Sequence, residues 1–245
     1  MGKFKKTQFI DSYRNIIRQF VSFLSVVIIA MLAVTIFLGI LFASKAISDN
    51  GNYYYDEGNY RDIEVISTYA LTANDINTLR NVEGVYDIEG AYQVPAVLKW
   101  KGTNKDIEVV SQTERINKPI LIDGRFPEGI DECCVEKGSI NGTDIKIGDK
   151  ITVVDSSGGM VKYLKTTEYT VTGIVYHPEL LCHPMFIPGN RYIVVSPDAF
   201  DSEAMENTFN KAFITLSATR GMYRFDKEYT AAVNETLERI NSLAD

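Results

Sequence analysis

The sequence predicts an α+β protein: one N-terminal transmembrane helix followed by a two-part extracytoplasmic domain, an α/β subdomain carrying an inserted β-rich subdomain. Three observations carry this. Residues 20–43 run for 24 positions without a charge, and five basic residues precede them. Past the run, short segments rich in Val, Ile and Tyr alternate with Gly, Pro and Asn turns, the pattern of strands. The C-terminal stretch returns to helical spacing, with apolar residues on one stripe.

Residues 1–19 read as a cytoplasmic amphipathic elbow helix. Phe9, Ile10, Tyr13, Ile16, Ile17 and Phe20 recur at spacings of three and four, with Arg14, Arg18 and Asp11 largely off that face. Such a helix lies along the membrane surface with its basic side chains among the headgroups. Residues 20–43 are the transmembrane helix. At about 1.5 Å per residue the run reaches roughly 36 Å, enough to cross a hydrocarbon core of about 30 Å with some tilt. Lys3, Lys5, Lys6, Arg14 and Arg18 against Asp11 give the leader a net charge of +4, so it stays in the cytoplasm and residues 44–245 lie outside. A signal peptide has a shorter apolar core of about 7–15 residues, which favours an anchor over a cleaved leader. Gly39 and Ala43 form a small-xxx-small pair on which another helix, from another segment or a second copy, could pack.

Residues 44–60 are a stalk and linker: a continuation of the helix, then a polar loop. Its Tyr53, Tyr54, Tyr55 and Tyr60 either belt the membrane interface or pack on the domain. Residues 61–116 with 211–245 form the α/β subdomain. Asp62-Ile63-Glu64-Val65-Ile66 alternates as a half-buried strand. Thr72, with Asp75 three residues on, caps a helix that turns Ile76 and Leu79 inward and ends near Asn81. Strands follow from Val85, from Tyr92 to Trp100, and from Asp106 to Val110 after the turn Gly102-Thr103-Asn104. Residues 117–210 are the inserted β-rich subdomain, with strands at Glu132-Cys133-Cys134-Val135, Ile151–Val154, Tyr169–Val175 and Arg191–Ser196. The last part returns to the first layer with a strand from Ala212 to Leu216. A helix beyond Phe225 then sets Tyr229, Val233, Ile240 and Leu243 on one stripe, with Leu237 beside them.

Charge narrows the partners. Residues 21–245 carry 20 basic and 31 acidic side chains, a net charge of −11. An acidic surface argues against nucleic acid and against docking on anionic lipid, both of which need clustered Lys and Arg. It attracts cationic peptides equally well in a transporter or in a receptor.

No site chemistry emerges. Gly138-Ser139-Ile140-Asn141-Gly142-Thr143 lacks the Lys of a phosphate-binding loop, and neither a Ser-centred elbow nor H-E-x-x-H occurs. Cys133, Cys134 and Cys182 are an odd number on the outer side. Either Cys182 bridges to one of the neighbours, or all three are buried thiols. His177, Cys182 and His183 lie close in sequence without a zinc spacing. His177 with Glu179 as orienting carboxylate would make a general base; loop polar residues are the simpler reading. Arg125, after Asp123-Gly124, reads as a structural ion pair or turn residue. The sequence therefore assigns no catalytic, cofactor-binding or metal-binding residue and no cofactor, and the chain is not read as an enzyme.

The order Asp62-Ile63-Glu64-Val65, Leu71-Thr72, Asp75, Leu79, Gly84-Val85, then Asp123-Gly124-Arg125-Phe126-Pro127 with Glu132, Ile147-Gly148-Asp149 and Tyr169-Thr170-Val171-Thr172-Gly173-Ile174-Val175 resembles the first extracytoplasmic segment of FtsX-like ABC transporter permeases, the group with a MacB-like periplasmic core domain. The resemblance covers nearly the whole chain. It implies a two-subdomain outer domain, a cytoplasmic ABC ATPase as partner, further transmembrane helices, membrane lipid, and an extracytoplasmic peptide or protein as what is moved or signalled to. Such permeases have at least four spans, so this chain is read as the first portion of one. The alternative is a single-pass membrane-anchored ligand-binding or receptor module without an ATPase. A third, a tethered hydrolase, has no visible site.

Overall fold

The computed structural model describes residues 13–14, 18–138, 143–156, 158–179 and 191–242, with the side chains of 68 and 69 left aside. Of the expected elbow, only residues 13, 14, 18 and 19 fall among them. The remainder of that helix lies outside the described residues, as do Cys182, His183 and Leu243. The chain divides into two units, Met1–Asn50 and Gly51–Asp245.

Helix α1 (Phe20–Glu57) contains the apolar run and is the one described helix long and apolar enough to cross a membrane. None of the span is buried, and its large apolar side chains are exposed on all sides. A helix apolar all round needs an apolar surrounding. Two of its hydroxyls are satisfied internally: Ser25 donates to the Val21 carbonyl at 2.9 Å and Thr35 to that of Met31 at 2.8 Å. That removes the penalty such groups would incur in hydrocarbon. Past the run the helix continues through Tyr53, Tyr54 and Tyr55 to Glu57.

The second unit has two halves. The first is a three-stranded antiparallel sheet in the order β1 (Ile63–Leu71), β10 (Phe209–Leu216), β2 (Val85–Ala91). Helices α2 (Ala73–Arg80) and α3 (Lys227–Asn241) pack on one face of it. Ile63, Ile88, Ala212, Ile214 and Leu216 meet Ile76 and Ile240 there, with Leu79, Val233 and Leu237 at the margin. Thr72 caps the helix as expected, and with Asp75 it completes a capping box, each side chain bonding the other's backbone N–H, at 3.2 and 2.8 Å.

The second half holds β3 (Gln93–Trp100), β4 (Thr103–Ser111), β5 (Ile120–Gly124), β6 (Glu132–Glu136), β7 (Lys150–Asp155), β8 (Glu168–Tyr176) and β9 (Tyr192–Val195). They run β5-β8-β6-β9-β4-β3-β7, and β7 pairs back to β8. The pairing closes a six-stranded barrel, β8-β6-β9-β4-β3-β7, with β5 as an edge on β8. Alternation fills its interior: Val94, Ala96, Leu98, Ile107, Val109, Cys133, Val135, Ile151, Val153, Val171 and Ile193. Phe200 and Leu164 belong to the same core.

Here the structure departs from the expected boundaries. β3 and β4, placed by sequence in an α/β subdomain of 61–116, belong to the barrel, and β10 begins at Phe209 rather than beyond 211. One residue, Tyr92, separates β2 from β3, so the two strands look contiguous along the chain. Val94, Ala96 and Leu98 point into the barrel, however, and their burial decides the partner.

The halves are fastened to each other. The Glu89 carboxylate on β2 accepts from the backbone N–H groups of Glu114, Arg115 and Ile116 at 3.0, 3.0 and 2.7 Å. Asn210 on β10 exchanges two hydrogen bonds with the Gln93 backbone, at 3.0 and 2.6 Å. Phe213 and Ala91, on the sheet face away from the helices, bury Ile116. Tyr92 lies between Phe200 and Phe209. Polar groups satisfied in this way on both sides of an apolar contact resist shear, so the halves behave as one body.

Candidate functional site at the C-terminal end of helix α1

The last turns of α1 and the residues to Asp62 enter the second unit and are held there by two polar clusters. The first centres on Arg224, in the loop between β10 and α3. Its guanidinium donates to the Arg61 carbonyl at 3.0 Å, to the Tyr229 hydroxyl at 2.7 Å, and to the Tyr60 carbonyl. It pairs with Asp62 at 3.2 Å, the two side chains being 16% and 4% exposed. The rings of Tyr55, Tyr60 and Tyr229 surround the cation, with centroids 5.1–5.4 Å from its carbon. Asp62 also accepts from Leu216 N, Thr219 Oγ1 and Tyr229 Oη, each at 2.7 Å. The Arg224 N–H reaches Asn52 Oδ1 on α1 at 3.2 Å. One largely buried arginine thus ties the helix end, the residues leading into β1 and α3, and its partner Asp62 extends the tie to β10.

The second cluster joins the same segment to the barrel half. Asn59 and Asn117 both adopt left-handed backbone, φ 45° and 56°, a region that Asn tolerates better than most residues. Asn117 N–H donates to the Asn59 carbonyl at 3.0 Å and its side chain accepts from Arg61 N–H at 2.8 Å. Arg61 pairs with Glu179 and with Glu64, and Glu64 with Lys211. Gly58 is required by close approach, since a Cβ there would sit 2.9 Å from Pro178 Cγ and 3.3 Å from the Lys118 carbonyl. Tyr54 adds an edge contact to Tyr176 of β8, 6.1 Å between centroids.

Electrostatics follow from this packing. Burial pushes the Glu64 carboxyl up, but Arg61 and Lys211 outweigh it and leave it below the usual range. Burial lowers His177 to about 3, helped by the charges of Arg61 and Lys211. Its Nδ1 accepts from Glu179 N–H at 3.4 Å and its ring stacks on Tyr192. The Glu179 carboxylate turns instead to Arg61 and Asn117. His177 is therefore a neutral, buried packing residue with no orienting carboxylate among the described residues. Burial raises Tyr54 too, with the Glu136 charge adding to it.

Other residues singled out by sequence sit elsewhere. Arg125 makes the expected ion pair, two hydrogen bonds to Glu132 at 2.8 and 2.5 Å. Cys133 faces the barrel interior and Cys134 the opposite side, both free and fully buried. Among the described residues no group of His, Cys, Asp or Glu could hold a metal ion. Of the tyrosines, Tyr55 and Tyr60 pack in the domain, whereas Tyr53 is exposed. Arg224, Asn117 and the role of Asp62 are absent from the sequence reading. Arg224 and Asp62 are 162 residues apart, and no periodicity links them.

No protein-family model matches the chain, and no curated protein does. Solved structures similar to it include the following three. The extracellular domain of the ABC-type transporter YknZ from Gram-positive bacteria is 15% identical over 70% of this chain and 87% of that one, with a TM-score of 0.42. The periplasmic region of MacB from Actinobacillus actinomycetemcomitans is 11% identical over 73% and 75%, TM-score 0.39. A domain described as part of a permease protein from Porphyromonas gingivalis is 11% identical over 72% and 71%, TM-score 0.40. These three domains belong to transporter and permease proteins.

Proposed function

We propose that the chain is the first span and extracytoplasmic domain of an FtsX/MacB-like permease subunit in an ATP-driven membrane machine. Residues 1–19 then lie on the cytoplasmic side, 20–43 cross the membrane, and 44–245 lie outside. A separate cytoplasmic ABC ATPase hydrolyses ATP and moves the span, and the domain passes that motion to a peptide, lipoprotein or other outer partner.

The observation that carries this reading is the way α1 ends. The helix continues for 14 residues past the apolar run, about 21 Å at the rise of an α-helix. Its last residues, from Gly51 on, belong to the second unit. Arg224 and Asn117 then fix its end to both halves of the unit. A passive tether works equally well through a mobile linker, whereas a lever needs a stiff arm and a locked joint. The order of motifs quoted above supports the same family, and the basic leader supplies a surface for a cytoplasmic partner.

ATP hydrolysis in native membranes, with and without this chain, tests the reading. Hydrolysis that depends on the chain, and that is uncoupled both by Arg14→Glu with Arg18→Glu and by Arg224→Ala, is the expected result. Hydrolysis indifferent to the chain would sink the permease assignment in favour of a single-pass ligand-binding module.

A further inference from the structure

We propose that the loop 217–225, between β10 and α3, is a docking site for the outer membrane leaflet, with Arg220 taking the phosphate of a phospholipid headgroup. The inference requires the span to sit in a bilayer but does not depend on an ATPase partner.

A cleft of about 260 Å³ opens beside Arg220, lined also by Tyr86, Thr215, Gly221 and Met222. That is below the roughly 300–1,000 Å³ of sites for drug-sized ligands, so it suits a headgroup rather than a whole lipid. Arg220 lies over the Tyr86 ring, 4.1 Å from its centroid, and has no carboxylate partner among the described residues. Thr215, on the wall, is 6% exposed, and its Oγ1 has no hydrogen-bond partner. A guanidinium held on an aromatic face beside an unpaired buried hydroxyl is a donor set without an acceptor. A phosphate oxygen is a natural one. Asp62 also lines the cleft, but Arg224, Tyr229 and Thr219 already satisfy it; Asp56, at the end of α1, is exposed.

The rest of the loop points to lipid as the source of that phosphate. Met222, Tyr223 and Phe225 are 40%, 44% and 70% exposed side by side. Residues 217–225 include two arginines and no acid, in a region whose net charge is otherwise strongly negative. Aromatic and apolar side chains beside arginine are the composition of a membrane-interface anchor. Phe225 lies against Gly51, within the same unit.

The test uses the full chain, delipidated in a neutral detergent and titrated by native mass spectrometry. The probes are short-chain phosphatidylglycerol and, in parallel, inorganic phosphate. One saturable lipid is expected on the wild-type protein. Arg220→Ala should weaken it about tenfold or more, and Arg220→Lys should retain part of the affinity. Phe225→Ser with Met222→Ser should weaken the lipid while leaving inorganic phosphate unchanged. Lipid binding indifferent to Arg220→Ala would overturn the proposal. Inorganic phosphate binding as tightly as the lipid, with the same dependence on Arg220, would overturn it in favour of a free-anion site.

Discussion

Replacing Arg224 by Ala removes the group that joins α1, β10 and α3, and the size of the loss can be worked from its partners. Removing one member of a buried ion pair costs about 3–5 kcal/mol, because the other charge is left uncompensated. Asp62 keeps three other donors, Leu216 N, Thr219 Oγ1 and Tyr229 Oη. That places the loss near the lower end, about 3 kcal/mol. For a domain of this size each kcal/mol shifts the melting midpoint by about 2–4 °C, giving a fall of about 6–12 °C. The assay is thermal and urea unfolding of the full chain in detergent, read by circular dichroism and by the fluorescence of Trp100. Trp100, the single tryptophan, lies in the barrel half, away from Arg224. Its transition should nevertheless move with the rest, because Glu89, Asn210 and Asn117 bind the two halves. Asp62→Asn combined with Arg224→Ala should lose less than the two single losses added, since the stranded charge is gone. A loss under about 1 kcal/mol would refute the placement of Arg224 at the joint. A Trp100 transition that stays put while the other moves would refute the single body.

Three further outcomes follow from buried and paired groups. His177 is neutral in the fold and titrates near 3, whereas an unfolded His takes a proton near about 6.5. The unfolded state therefore binds the extra proton as pH falls through that window, and stability declines with it. His177→Asn should flatten the stability slope between about pH 6.5 and 5; an unchanged slope would place the proton uptake elsewhere. Glu132 is held down to about 2, first by the Arg125 side chain and then by the N–H groups of Glu128 and Gly129. Its contribution is present above the usual carboxylate range and lost as pH falls toward 2. In Arg125→Ala the Glu132 carboxyl resonance should titrate higher, and an unmoved midpoint would contradict the pairing. Burial raises both Cys133 and Cys134, the latter to about 11. Thiol reagents should reach neither until the domain unfolds; labelling of either in the native protein would show that β6 is not covered.

Local signals in the sequence marked the local elements. The Thr72–Asp75 cap, the alternation of Ile63 and Val65, and the stripe Val233, Leu237, Ile240 each define an element within a dozen residues. Arg125 was legible only as an ion pair or a turn residue, and its partner Glu132, seven residues on, is read from the fold. Barrel closure was not, since it depends on Lys150–Thr152 meeting Glu168–Thr170 and on parallel pairings of β4 with β9 and β6 with β8. Strand burial fixes which face points inward but not which neighbour is taken. The joint was hidden for the same reason. Asp62 reads as the polar start of a strand and Arg224 as one more loop cation. Only the fold brings them to 3.2 Å. The tyrosines after the span were the visible trace of it, open between a membrane belt and domain packing until burial separated Tyr55 and Tyr60 from Tyr53.

Purification of the native, full-length gene product from its own membranes in mild detergent asks directly whether this chain works with an ATPase. A nucleotide-binding subunit retained in stoichiometric amount, and lost when Arg14 and Arg18 are reversed to Glu, is the result expected of a permease subunit. A protein that purifies without any nucleotide-binding partner, as a single-span species, would contradict it.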